Sequence, residues 1–281
     1  MAGTLYIVAT PIGNLNDMTP RAAATFGSVD FVAAEDTRVT LRLLNHLGLK
    51  KPLISYYEHN AKEKGGYILD RIEQGESCAL CSDAGMPAIS DPGEEIVREA
   101  LERGISVVPI PAASACVTAL AVSGQDTSRF VFEGFLPVAA KQRKERLQEL
   151  QNEIRTMIFY EAPHKLKGTL AAMQQTFGEQ RSISLARELT KLHEEIKKTT
   201  LGEAIAFYEQ NDPRGEYVLV VAGGQAAAQP KEELTLEQAA QMAKQLVAQG
   251  MPPSAAAKQA ANGTPYSKSQ VYRLLIEEDD A

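Results

Sequence analysis

Residues 75–93 read GESCALCSDAGMPAISDPG. Cys78-Ala79-Leu80-Cys81 is a short apolar run that stops abruptly in polar and turn-forming residues. This is the pattern of a buried parallel strand running into a loop. In open α/β sheets, ligands sit beyond the carboxyl ends of the strands, so Asp83 stands where a small molecule can be held. Gly85 tolerates a backbone geometry and a close approach that a side chain would block. Pro87 and Pro92 restrict the loop by fixing φ. Glu94 and Glu95 then open a helical run ending near Leu101, and early carboxylates suit a helix N-terminus. A Gly- and Pro-rich turn with no ligand would carry the same residues.

Upstream of this stretch, Leu5–Ala9 is a β-rich apolar run followed by the turn Thr10-Pro11-Ile12-Gly13-Asn14. A helix is expected to follow, with Thr19 as its cap and Pro20 in its first position. Strand, turn and helix with one glycine is a partial nucleotide-binding fingerprint. Phe31–Ala34 reads as a second buried strand that ends in Glu35-Asp36-Thr37-Arg38. Charged groups at a strand end are costly to desolvate without partners or a task; a salt-bridged helix start is the plain alternative. Leu53–Tyr57 is a strand leading into Glu58-His59-Asn60, and residues 62–73 are helical. Ser106–Pro111 is a strand followed by the small residues Ala112-Ala113-Ser114-Ala115-Cys116. Strands alternating with helices predict a parallel α/β domain over residues 1–121.

Downstream, residues 122–126 read as a connection and Phe130–Pro137 as strand and turn. Lys141, Arg143, Lys144 and Arg146 follow at helical positions; they suit phosphate contacts or a solvated helix face. Met157–Tyr160 and Ser182–Ala186 are strands, each ending in a polar cluster: Glu161 to Lys165, and Arg187 to Lys191. Residues 199–208 include a short helix, and Glu216–Gly224 is the last strong strand. A second α/β domain with a mixed sheet is expected over residues 122–225. Residues 225–231 read as a linker, and residues 232–281 as a small all-α tail. Its helical runs, 235–249, 254–261 and 267–278, have helix-turn-helix proportions, with Lys258, Lys268 and Arg273 available to one side.

The chain has 281 residues and a net charge of -7, which excludes a surface blanketed in positive charge but not a local basic patch. No apolar run approaches the ~20 residues of a membrane span, and the N-terminus reads as a first strand rather than a leader. Three cysteines suit a reducing, cytoplasmic location. Cys78 and Cys81 form a CxxC, but on a strand their side chains point to opposite faces, so core packing is expected and no metal.

Taken together, YIVATPIGNLNDMT, AAEDTR, YYEHN, CSDAGMPAISDPG, VVPIPAASA, FEGFLP, FYEAPHKL and LARELTK resemble the tetrapyrrole methylase superfamily, the class III fold of S-adenosylmethionine-dependent methyltransferases. They look most like its ribosomal RNA small-subunit methyltransferase I branch, and the helix-turn-helix tail also occurs there. The resemblance implies two α/β domains with S-adenosylmethionine in the cleft between them, usually in a homodimer. It implies 2′-O-methylation of a cytidine ribose in 16S rRNA of the small ribosomal subunit, cytidine 1402. It implies cofactor contacts at Ile12 and Gly13 in the first loop, at Asp83 and Met86, at Ser114 and Ala115, and at Ala186. Many relatives carry a GxGxG-type first loop where this chain has ATPIG.

A ribose hydroxyl is a poor nucleophile, so a base or a cation that steadies the developing alkoxide is expected to help. Asp36 or Glu35 is the expected base, with Arg38 and Lys165 as electrostatic partners and His59 as the next choice of base. The 2′-hydroxyl must be accessible, which favours a loop or single strand of RNA. Lys141, Arg143, Lys144 and Arg146, with Lys268 and Arg273 of the tail, are the expected phosphate contacts. Two other readings share parts of the pattern: a corrin or porphyrin methyltransferase of the same fold, and a ligand-sensing helix-turn-helix regulator.

Overall fold

The computed structural model describes residues 2–224, 234–262 and 264–277; the linker expected over 225–231 lies outside them. The chain divides into two compact units, residues 1–224 and 225–281.

The first unit holds two sheets. β1 (Thr4–Val8), β2 (Phe31–Ala34), β3 (Leu53–Ser55), β4 (Cys78–Cys81) and β5 (Ser106–Ile110) form a five-stranded parallel sheet in the order β3-β2-β4-β1-β5. Its strands alternate cleanly between two cores. Leu5, Ile7, Phe31, Ala33, Cys78 and Leu80 face α3 (Ala61–Glu73) and α4 (Glu94–Glu102). Val8, Val32, Ala34, Ala79 and Cys81 face α1 (Pro20–Ser28) and α2 (Thr37–His46). Cys78 and Cys81 therefore lie on opposite sides of the sheet, free and buried. The start of α1 is as the sequence predicts: Thr19 caps it, accepting from the Ala22 amide at 3.1 Å, and Pro20 is its first residue.

The second sheet comprises β6 (Phe130–Phe135), β7 (Thr156–Glu161), β8 (Ser182–Arg187), β9 (Glu195–Thr200) and β10 (Tyr217–Val221), in the order β6-β7-β10-β8-β9. It is mixed: β6 and β7 are parallel, and the other pairs are antiparallel. One face packs on α6 (Ala140–Glu149), α7 (Pro163–Phe177) and α8 (Leu201–Gln210). The other face is covered in part by α5 (Ala115–Val122), whose Cys116, Ala119 and Leu120 pack on Ile158, Ala186, Val218 and Val220. Thus a helix contiguous in sequence with the first sheet becomes a layer of the second. β9 has no counterpart in the sequence reading. It is an edge strand, EIKKTT, with a single aliphatic residue, so it lacks the apolar alternation that marks a strand.

The second unit contains α9 (Leu236–Ala248), α10 (Pro253–Ala261) and α11 (Lys268–Glu277), packed around Ala239, Ala243, Ala256, Ala257, Ala260, Val271 and Leu275. Small alanines at the contacts let these short helices approach closely.

Candidate active site

The loops that leave β1, β2, β4 and β5 converge at the carboxyl edge of the first sheet, where this class of fold binds ligands. Opposite them stand Phe135, Tyr160, Ala186 and Val218 of the second sheet. Between the two lies a cavity of about 330 Å³. Ile12, Asp83, Met86, Ser114, Ala115 and Ala186 all line it. Gly13 instead lines a smaller neighbouring hollow of about 220 Å³. Asp83 belongs to both linings.

The loop after β4 is held from two sides. Thr10 and Gly85 pair through their backbones in an isolated antiparallel bridge. The Asp83 carboxylate accepts from the Asp36 amide at 3.1 Å, while the Asp83 amide donates to Glu35 Oε2 at 3.4 Å. Ala88 and Ser90 carry positive φ, 65° and 62°, within the same loop. Non-glycine residues in that region cost about 1–3 kcal/mol each and persist where the surroundings impose them, often at ligand clamps.

Five carboxylates line the cavity: Glu161 is held by the Thr169 hydroxyl and Glu216 by Lys191, while Glu35, Asp83 and Asp91 come from the loops of the first sheet. Burial raises these last three above the ordinary carboxylate range. For Glu35 the charges of Asp83 and Asp36 add to the effect, and for Asp83 the charge of Asp36 does. Asp91 is pushed up to about 6, by burial first and then by the charge of Glu35. A crowded set of partly desolvated carboxylates is relieved by a cation. Across the cavity, burial raises the Tyr160 phenol to about 12, and its oxygen accepts from the Cys116 amide at 3.1 Å. Lys191 also lines the cavity, anchored to Glu188 Oε1 at 2.9 Å and Glu216 Oε2 at 2.8 Å. Its turn carries positive φ at Glu188 and Thr190, and the Thr190 hydroxyl is buried without a partner.

The other sequence-predicted residues lie elsewhere. Asp36 caps α2, accepting from the Arg38 amide at 2.8 Å, and its carboxylate binds the Arg38 guanidinium at 2.6 Å. The Arg38 hydrogen bonds hold Asp36 down at about 2. His59 is exposed and stacks edge-on against Tyr57 at 6.2 Å. Lys165 lies in the first turn of α7 and is half-buried. None of Asp36, Arg38, His59 and Lys165 lines either hollow. On α6, Lys141 and Lys144 are exposed, Arg143 reaches the Val138 carbonyl at 3.3 Å, and Arg146 is tied to Glu133 at 2.6 Å and Glu149 at 2.7 Å. Lys268 and Arg273 are exposed on α11. Sequence reasoning passed over Asp91, Tyr160 and Lys191. Each ends or follows a strand, but nothing local distinguishes it from its polar neighbours.

Residues 4–205 match the family model of the Tetrapyrrole (Corrin/Porphyrin) Methylases. Among solved structures, the cobalamin-biosynthetic cobalt precorrin-4 methyltransferase superposes with a TM-score of 0.59 at 18% identity, covering 78% of this chain and 94% of that one. A uroporphyrin-III-C-methyltransferase from Thermus thermophilus gives 0.53 at 17% identity, over 78% and 94%. The fold and the family model thus place the chain among the methylases of this class. The curated relatives narrow it further. The ribosomal RNA small subunit methyltransferase I of Synechocystis is 46% identical over 275 residues, 98% of each chain. That of Pseudomonas aeruginosa is 46% identical over 278 residues, again 98% of each. The chain belongs to the ribosomal RNA small subunit methyltransferase I family, and such a methyltransferase implies S-adenosylmethionine as methyl donor.

Proposed function

We propose that the chain methylates the 2′-oxygen of a cytidine ribose in the RNA of the small ribosomal subunit, with S-adenosylmethionine held in the 330 Å³ cavity. The observation that carries this reading is the carboxylate set Glu35, Asp83 and Asp91 in a cleft that also presents apolar side chains from both sheets. S-adenosylmethionine supplies an electrophilic methyl carbon on a positively charged sulfur. The residues present fit such a donor: the carboxylates offset its positive charge, and Ile12, Ala115, Ala186, Leu189 and Val218 offer apolar surface to its adenosyl part. The small side chains of Ser114 and Ala115 let it approach the backbone closely.

The ribose hydroxyl must lose its proton as its oxygen attacks. Glu35 and Asp83 are the proton acceptors of this reading, supported by their position in the cavity lining and by the burial that raises both. Asp36, the alternative to Glu35 as the base expected from sequence, serves this pair through its amide on Asp83 and through its own hold on Arg38. Lys191 is the basic residue that lines the cavity, in the electrostatic role for which Arg38 and Lys165 were expected. On α6, Lys144 is exposed and Lys141 is exposed with only a loose pair to Glu145 at 3.9 Å, and these two supply phosphate contacts. Among the described residues no helix is long and apolar enough to cross a membrane. A cytoplasmic homodimer acting on 16S rRNA is the setting that the sequence resemblance implies for this reading.

The decisive assay offers small ribosomal subunits and labelled S-adenosylmethionine, then maps the methyl group to nucleotide and atom. Label on the 2′-oxygen of a single cytidine is the expected result. Label on a base, or transfer to a tetrapyrrole instead, would replace this reading.

A further inference from the structure

The smaller hollow, of about 220 Å³, differs in chemistry from the donor cavity beside it. Pro11, Leu15, Val39 and Leu43 make its walls apolar, Arg42 stands on its rim, and Asp83 is its one carboxylate. Leu15 is 47% exposed and open to a ligand from solvent. Among the described residues Arg42 is in no ion pair, whereas its neighbour Arg38 is bound to Asp36. A phosphate is repelled by the carboxylates of the larger cavity and attracted at Arg42. The volume suits one unstacked nucleoside and not a base-paired step, and RNA-modifying sites work on splayed-out nucleotides.

We propose that this hollow receives the ribonucleoside to be methylated, its base between Leu15 and Val39, its phosphate on Arg42 and its sugar toward Asp83. The proposal rests on the reading of the larger cavity as the donor site. Because Asp83 lines both hollows, it sets the sugar oxygen beside the methyl group and discriminates a nucleoside that fits the apolar slot from one that does not. Substrate selection thereby falls on the loop after β1 and the first turns of α2, residues 11–15 and 39–43.

The test uses the full chain, small subunits from cells lacking the protein, and two variants. Val39→Phe fills the slot and Arg42→Gln removes the guanidinium. Both are expected to bind S-adenosylmethionine within about threefold of wild type by calorimetry while KM for the subunit rises about tenfold. Arg42→Gln is also expected to reduce the salt slope of RNA binding by about one. Ultraviolet crosslinking, without donor, is expected to attach the substrate pyrimidine to peptides containing residues 11–15 or 39–43. Wild-type kcat/KM in both variants, or crosslinks of that nucleotide only to other segments, overturns the proposal. If Val39→Phe melts early, the exposed Arg42→Gln and the crosslink decide. A wild-type chain that binds no donor sinks the reading of the larger cavity, while the crosslink still decides the smaller.

Discussion

Thr10 and Gly85 exchange both of their backbone hydrogen bonds, at 2.9 and 3.0 Å. This reciprocal pair joins the loop after β1 to the loop after β4 and so positions both linings that meet at Asp83. Gly85 adopts φ +81°, and a Cβ there would stand 3.4 Å from Ile12 Cγ2. Gly85→Ala is expected to cost about 1–2 kcal/mol through the left-handed backbone alone. The added methyl only touches Ile12 at van der Waals distance, so any loss of donor binding is expected to come from the shifted loop backbone. Chemical denaturation and donor calorimetry on the same preparation check both effects.

The two acids at the end of β2 are expected to separate sharply on mutation. Glu35→Gln removes a raised carboxylate from the cavity, and single-turnover methyl transfer is expected to fall about 100-fold. Asp36→Asn keeps a competent helix cap, so transfer is expected to stay within about tenfold of wild type. Asp36→Ala loses the cap and about 1 kcal/mol of stability. A large loss in Asp36→Asn with little in Glu35→Gln would return the base role to Asp36.

Asp91 carries a pH signature. Its folded value of about 6 lies above the ~3.9 of an unfolded chain, so the fold favours the protonated acid. That stabilisation is complete below about pH 4 and is lost as pH rises through 6. Asp91→Asn is therefore expected to gain about 1 kcal/mol on wild type by pH 7, a figure reduced for solvent screening, and nothing at pH 4. Thermal melts across that range measure it. Donor binding has the opposite slope, because a cation prefers the ionised carboxylates: affinity is expected to be about tenfold higher at pH 7 than at pH 5, with proton release on binding.

On α6 the four cations are expected to divide by role. Lys141→Gln with Lys144→Gln is expected to reduce the salt slope of RNA binding by about 1–2 and leave stability unchanged. Arg146→Ala strips the partner from Glu133, whose side chain is only 7% exposed, and is expected to cost about 1–3 kcal/mol. Salt-dependent binding of small subunits and urea melts separate the two. An unchanged salt slope in the double variant would remove α6 from the RNA contacts.

What the sequence by itself determined is mostly what neighbouring residues decide among themselves. Strand and helix alternation through residues 4–122, the Thr19 cap with Pro20, and the opposite facing of Cys78 and Cys81 all follow from periods of 2 and 3.6 and from turn chemistry. The family resemblance, too, is carried by contiguous motifs. Tertiary structure alone decided which strand-end groups share a cavity, because Glu35, Asp83 and Asp91 come from two different loops and Lys191 from the other sheet. It also laid α5 across the second sheet, recruited the polar strand β9 to an edge, and set Arg42 on the rim of a hollow. The physical reason is range. Local periodicity records which face of an element is buried, whereas desolvation and charge pairing depend on whatever distant segment the fold brings within a few ångströms.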